Sequence, residues 1–261
     1  MLGKLLKYDF KWINKIMYVY FILLALISIA VKIVESLDQT IFLVIVDKAL
    51  SSMFIGCAAS TIVTCLIRIW VRFINNIYKD ESYLTHTLPV TKNQIFNAKI
   101  IASILSILMS GVVVAICFAF IYLNSSTIDA LKIRYQSLVD IYNSVFAIFF
   151  IIGLVLLVVF ESIYIMISGI LGIVIGHRFN NGKIIASIGI GIGCYSLLST
   201  MSLVIIGIIS NVIDYDIIGN GFPTMNYVTA VGLSSILIYL VYDIVYYFIA
   251  KKLLNKGVNV D

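Results

Sequence analysis

The sequence predicts an all-α membrane protein with six transmembrane helices. Hydrophobic residues make up 62% of the 261 positions, charged residues only 12%, and the mean hydropathy is +1.09. A typical soluble domain has about 45–50% apolar and about 25% charged residues. Outer-membrane barrels show strict alternation over ten-residue segments, which is absent here. A transmembrane helix needs about 20 mostly apolar residues, and six segments meet that requirement: 16–35, 49–71, 98–123, 143–176, 184–209 and 226–250.

The positions of lysine and arginine predict the orientation of these spans. Cytoplasmic segments carry an excess of Lys and Arg. If the N-terminus lies inside, 14 of the 18 basic residues fall on the inner side. Those left outside are Lys32, Lys48, Lys132 and Arg134. Both termini are therefore expected in the cytoplasm, and the net charge of +5 reflects this topology and does not indicate nucleic-acid binding.

The segment before the first span has the pattern of a basic amphipathic helix. Residues 1–15 place apolar side chains and Trp12 on one face, and such a helix is expected to lie in the inner interface, attracted by anionic lipid. Asp9 falls on the apolar face, which indicates a contact with a partner or a neighbouring loop. No small-residue cleavage pair follows the apolar run, so a cleaved signal peptide is not expected. The other face carries Lys4, Lys7, Lys11 and Lys15.

The polar segment between the second and third spans, residues 75–99, carries the densest set of local signals. Thr91 and Gln94 form a T-x-x-Q capping box, which predicts that a helix starts at Lys92. Before Pro89 the segment combines a small mixed-charge cluster with two apolar residues. This composition fits either a surface that docks onto another protein or a plain connecting loop. The cluster and the apolar pair are Lys79, Asp80, Glu81, Tyr83 and Leu84.

Later in the chain, two carboxylates fall inside predicted spans. Glu161 lies near the middle of the fourth span, where a charge is costly and must face a polar contact or a transport path instead of lipid. Asp243 lies among tyrosines in the sixth span and is expected to satisfy a neighbouring group. The second outer segment, 124–142, has helical apolar spacing and predicts a short amphipathic helix. Small residues predict close helix packing at Gly172, Gly176, Gly189, Gly191 and Gly193.

Several chemistries are not expected. Five residues separate Gly176 from Gly182, and Ile184 follows Lys183, so the intervening loop is not a phosphate-binding P-loop. The four cysteines fall inside spans without a C-x-x-C pair, and the two histidines lie in separate loops, so no metal site is expected. We therefore expect a protein that is not an enzyme and binds no cofactor itself.

The segment from Tyr83 to Lys99 reads Y-L-T-x-T-L-P-V-x-x-x-x-I-x-x-x-K. With this segment, its six spans and its basic N-terminal helix, the chain resembles the permease subunits of type-2 ABC exporters. It is similar to Gram-positive permeases that export, or give immunity to, amphipathic and antimicrobial peptides, including the phenol-soluble modulin exporters. The resemblance covers essentially the whole chain. It implies a single permease domain, 1–261, in the bacterial plasma membrane, with an elbow at 1–15, six spans within 16–250 and a short tail at 251–261.

The resemblance also implies partners and residue roles. Two permeases, identical or different, would form the path, each resting on a separate cytoplasmic ATPase that holds ATP and Mg. The elbow would include Lys7, Asp9 and Trp12. The loop after the second span would couple to the ATPase through Asp80, Glu81, Tyr83, Leu84, Leu88 and Pro89. The alternative is a membrane subunit that captures a small molecule or peptide without forming half a pathway. An intramembrane protease is not expected, because Glu161 and Asp243 form no recognisable catalytic pair.

Overall fold

The computed structural model describes residues 2–37, 40–79, 81–87, 89–212, 217–218 and 222–256. Six long helices of 30–37 residues dominate it, each long and apolar enough to cross a membrane. The prediction of an all-α protein with six candidate spans is confirmed. The helices are α1 (Leu2–Glu35), α2 (Ile41–Ile77), α3 (Ser82–Thr87), α4 (Lys92–Tyr122), α5 (Ser125–Ile141), α6 (Ser144–Gly176), α7 (Lys183–Val212) and α8 (Met225–Asn255). Two short strands, β1 (Ile217–Ile218) and β2 (Phe222–Pro223), pair antiparallel.

The prediction of a separate interfacial helix at residues 1–15, including Lys7, Asp9 and Trp12, is wrong. These residues belong to α1, which is one continuous span-like helix. Gly3 is the only glycine or proline between Leu2 and Glu35, so nothing interrupts the backbone hydrogen bonds at position 15. One face of α1 is buried from Asp9 through Ile13 and Met17 to Val31. That buried face places the N-terminal segment inside a helix bundle.

The chain divides into two compact units, Met1–Lys132 and Ile133–Asp261. In the first unit, α1, α2 and α4 pack around an apolar core. Towards the C-terminal end of α1, Glu35 forms an ion pair of 2.8 Å with Lys32 and accepts a hydrogen bond of 2.5 Å from Asn124. Glu35 lies about 39 Å along α1 from Asp9, at 1.5 Å per residue. The core residues are Leu24, Ile27, Val31, Phe54, Ala58, Cys117 and Ile121.

The start of α4 follows the sequence prediction. The backbone N–H of Gln94 donates to the Thr91 hydroxyl at 3.3 Å, and the N–H of Thr91 donates to the Gln94 side chain at 3.2 Å. This reciprocal pair satisfies two backbone donors that have no partner within the helix. The capping box, and the first helical residue Lys92, are confirmed.

We expect Thr91→Ala to lower the free energy of unfolding by about 1 kcal/mol, because alanine leaves the Gln94 N–H without its acceptor. Thermal unfolding in detergent, followed by helical circular dichroism, measures the change. Thr91→Ser keeps the hydroxyl and serves as the matched control, which should unfold close to the wild type. Equal stability of the alanine and serine variants would contradict the prediction.

In the second unit, α6, α7 and α8 pack together, and glycines allow the closest approach. A Cβ on Gly172 would lie 2.5 Å from the carbonyl oxygen of Ser187 and 2.6 Å from the amide nitrogen of Gly191. A Cβ on Gly176 would lie 2.5 Å from the Cα of Ser187. Close packing at Gly172, Gly176 and Gly191 is therefore confirmed. Gly189 and Gly193 have open space where a Cβ would stand, so they take no part in this contact.

The outward surface of the second unit is strongly apolar. On α7 only Ser187 and Leu198 are buried, and large side chains such as Ile185 and Leu203 are exposed. Soluble monomers rarely expose continuous apolar surface on this scale, so the burial pattern fits helices surrounded by lipid.

The connection between α5 and α6 carries one further polar contact. The predicted amphipathic helix in this region is confirmed as α5. Immediately after it, the Tyr142 hydroxyl donates to the Pro223 carbonyl at 2.8 Å. Burial raises the pKa of the Tyr142 hydroxyl.

Candidate functional site

A cluster of four charged side chains joins α1, α2 and α4 to the loop after α2 in the first unit; three of them are largely buried and the fourth, Glu81 of the loop, is half-exposed. Asp9 accepts from Arg72 Nε at 2.8 Å and lies 3.3 Å from Lys99 Nζ. Arg72 Nη1 also pairs with Glu81 at 2.7 Å. Two carboxylates thus face two cations, and the cluster carries no net charge. Asp9 and Lys99 are each only 6% exposed, so water screens their attraction little.

Asn76 completes the polar contacts of this cluster. Its side-chain oxygen accepts from Lys99 Nζ at 2.6 Å, and its side-chain nitrogen donates to Glu81. Arg72 and Asn76 lie four residues apart on α2 and therefore share one face of the helix. Lys99 lies on the second turn of α4. The capped start of α4 therefore fixes the position of Lys99 along the helix axis, next to α2. Each buried cation has at least two polar partners, as burial of a charge requires.

Trp12 covers the cluster on one side. The Arg68 guanidinium lies 3.6 Å from the centre of the Trp12 ring, and that of Arg72 lies at 5.0 Å. Arg68 also donates to the Trp12 carbonyl at 2.9 Å. A cation over an indole face is attracted by about 0.5–2 kcal/mol. Trp12 therefore joins α1 to two successive turns of α2.

A small cavity of about 10 Å³ adjoins the cluster, close to the space one ordered water needs. Nearby, the Asn14 side chain donates to Ser106 at 2.9 Å. Within the described part of the chain, the Asn14 oxygen and Arg68 Nε are buried without a hydrogen-bond partner. The cavity is lined by Asp9, Ile13, Ile69, Arg72, Phe73, Lys99 and Ser103.

The loop after the second span turns back onto the end of α2. The Glu81 backbone N–H donates to the Asn75 carbonyl at 3.2 Å, and that of Ser82 donates to Lys79 at 2.7 Å. These turns direct the half-exposed Glu81 side chain inward to the cluster. Tyr83, two residues further on, is 76% exposed, and Pro89 is exposed at the end of the loop. The loop therefore has an inward-facing charge and an outward-facing aromatic residue.

The remaining predicted site residues lie elsewhere. Asp80 and Leu88 fall outside the described residues, and Leu84 is placed only as part of the α3 backbone. Lys7 is exposed on α1 and does not join the cluster. Glu161 and Asp243 belong to the second unit, where both interact electrostatically with Tyr239.

Sequence reasoning missed Arg72 and Lys99 as partners of Asp9: it used both to assign orientation, and Lys99 also as the last residue of the segment from Tyr83 to Lys99. The available signal was Asp9 itself. An acidic residue on the apolar face of a helix needs a buried cation as its partner. Such cations lie in the first or last turns of the neighbouring spans. That signal indicates the need for a partner, although it does not select which lysine or arginine supplies it.

The fold and this cluster define a multi-pass helical membrane protein with six candidate spans. No protein-family model, no curated protein and no solved structure matches this chain. Among the described residues, no three His, Cys, Asp or Glu side chains are grouped to hold a metal ion.

Proposed function

We propose that this chain is the transmembrane subunit of an ATP-driven ABC exporter of the type-2 class. In this proposal it pairs with a second permease in a bacterial plasma membrane. The loop after the second span couples the pair to separate cytoplasmic ATPases that bind ATP and Mg. The cargo is an amphipathic or antimicrobial peptide, or another hydrophobic compound, in keeping with the family the sequence resembles.

One observation carries the proposal: Glu81 links the loop to three helices through the buried charge cluster. Glu81 binds Arg72 and Asn76 of α2, and these side chains bind Asp9 of α1 and Lys99 of α4. A displacement of the loop therefore acts on all three helices together. Such rigid transmission is what a transporter needs when ATPase closure drives the spans between two arrangements.

The charges on α1 favour an orientation in which the loop after the second span faces the cytoplasm. Four exposed lysines lie at the end of α1 that holds Asp9, and a basic end is typical of the cytoplasmic side. In the proposal this places the loop, the N-terminus and the charge cluster on the side where an ATPase works. The exposed Tyr83 ring then supplies apolar contact area to that partner. The lysines are Lys4, Lys7, Lys11 and Lys15.

The test is co-purification with any ABC ATPase encoded beside this chain, followed by transport-coupled ATP hydrolysis in lipid vesicles. We expect Tyr83→Ala to weaken ATPase binding by about tenfold, the loss of about 1.4 kcal/mol. We expect Glu81→Gln to keep ATPase binding but lower peptide-stimulated hydrolysis by about tenfold, a typical coupling free energy. The difference arises because Tyr83 faces outward whereas Glu81 faces the helices.

Glu35→Gln is the matched control, because Glu35 also links α1 to a residue outside it, Asn124, but lies at the opposite end of α1. It should leave both measurements near the wild-type values. If neither loop variant changed either quantity, the coupling assignment would fail. A complex that contains one copy of this chain and no ATPase would instead support a substrate-capture subunit.

A further inference from the structure

The second unit holds a buried carboxyl group that has no partner. Asp243 on α8 is 8% exposed, and neither of its oxygens has a hydrogen-bond partner among the described residues. A buried polar group is normally hydrogen-bonded, and each exception requires an explanation. For an ionised carboxylate the requirement is stronger, because burying an isolated charge is prohibitively unfavourable.

The surroundings of Asp243 are aromatic. Tyr239 lies four residues before Asp243 and Tyr246 three residues after it, so all three share one face of α8. The rings of Tyr239 and Tyr246 lie 5.9 and 5.6 Å from the ring of Tyr164 on α6. Asp243 therefore faces the packed interior of the unit. The titratable groups of this region are Glu161 and Tyr164 on α6, Cys194 and Tyr195 on α7, and Tyr239, Tyr242 and Tyr246 on α8.

These neighbours do not supply a positive charge. No lysine, arginine or histidine occurs in α6, in α7 after Lys183, or in α8 before Lys251. Lys251 lies more than two turns beyond Asp243, and its Nζ is held over the Tyr247 ring at 5.4 Å. Glu161 on α6 adds a second carboxyl group to this region, so it supplies no positive charge that could compensate Asp243.

The groups around Asp243 determine which cation its carboxyl group can bind: a metal ion, an organic ammonium ion or a proton. A hard metal cation prefers about six oxygen ligands, but among the described residues no three His, Cys, Asp or Glu side chains are grouped to hold one. An organic ammonium ion needs free aromatic faces, whereas these tyrosine rings pack against one another. A proton needs only the carboxyl group itself.

We propose that Asp243 is an intramembrane proton-binding site, which holds its proton while α6, α7 and α8 remain packed as in this structure. The proton adds to one carboxyl oxygen and is released when a rearrangement of these helices admits water or a hydroxyl donor to Asp243. The site therefore links proton release to the packing of the second unit. The proposal does not depend on ATP-driven export.

Infrared spectroscopy of the full chain in lipid, with ¹³C-carboxyl-labelled aspartate, tests it directly. We expect a protonated-carboxyl band at neutral pH that disappears in Asp243→Asn and remains in Glu161→Gln. Because asparagine has nearly the shape of a protonated aspartic acid, Asp243→Asn should fold like the wild type. Asp243→Glu removes the same labelled band and is the second variant if the first one fails to fold.

Two results would overturn the proposal. The first is a wild-type spectrum at neutral pH that contains no labelled protonated band dependent on Asp243, which would mean that the group is ionised. The second is loss of that band when sodium or potassium is added at constant pH, which would make the site one for a metal cation. Insensitivity to both ions, together with loss of the band at alkaline pH, supports the proton.

Discussion

Asp9→Asn will lower the free energy of unfolding by about 3 kcal/mol, the usual effect of breaking a buried ion pair from one side. The reason is that Lys99 and Arg72 remain buried after the carboxylate has gone. Lys99 keeps only the Asn76 oxygen at 2.6 Å, which carries no charge. In thermal unfolding of the purified protein in detergent, this corresponds to a fall of about 6–12 °C in the unfolding temperature.

Asp129→Asn is the matched control for burial. Asp129 also pairs with a lysine, Lys132 at 3.2 Å, but both side chains are largely exposed, so the change should alter stability little. Lys99→Met provides a double-mutant cycle. Together with Asp9→Asn it should destabilise less than the two single changes added, because the pair is removed as a unit. Strictly additive effects would show that Asp9 and Lys99 do not interact.

Gly172→Ala will separate α6 from α7 and lower the free energy of unfolding by about 3 kcal/mol, at the upper end of the range for overpacked cores. The new methyl group would lie 2.5–2.7 Å from three backbone atoms of Ser187 and Gly191. Backbone atoms cannot move aside as a flexible side chain can, so the helices themselves must shift. Thermal unfolding and cysteine cross-linking between α6 and α7 both report the change.

Gly189→Ala is the control on the same pair of helices. No atom beyond its own stretch of helix backbone lies within 4 Å of the position its Cβ would take, and alanine favours a helix over glycine by about 1 kcal/mol. This variant should be as stable as the wild type or slightly more so. If Gly172→Ala were equally well tolerated, the close approach of α6 and α7 at Gly172 would be refuted.

Local patterns predicted much of the fold. The apolar lengths identified six spans, and Thr91 with Gln94 located the start of α4, because hydropathy and helix capping depend on residues near in sequence. The same local reasoning failed at residue 15, where amphipathic spacing predicted a separate interfacial helix. The structure continues α1 through this point, since its buried face is decided by contacts with α2 and α4.

The candidate site was predicted only in part, for a related physical reason. The sequence identified Glu81 and Tyr83 in the loop and Asp9 as an unexplained acidic residue. It could not pair Asp9 with Arg72 and Lys99, because an ion pair between helices leaves no periodic trace in either helix. The missing partner of Asp243 is likewise invisible in sequence, where the surrounding tyrosines resemble an aromatic belt at the membrane surface.

The separation of the charged partners along the chain has a consequence for biosynthesis. Arg72 follows Asp9 by 63 residues and Lys99 follows it by 90. During translation, α1 therefore emerges with a carboxylate on its apolar face well before either cation exists. Arg72 supplies the first cation once α2 has been made, and Lys99 completes the pairs only with α4, so a nascent chain that ends before Arg72 would leave Asp9 without either partner. The order of synthesis thus completes the ion pairs of the first helix only with the third of the six long helices.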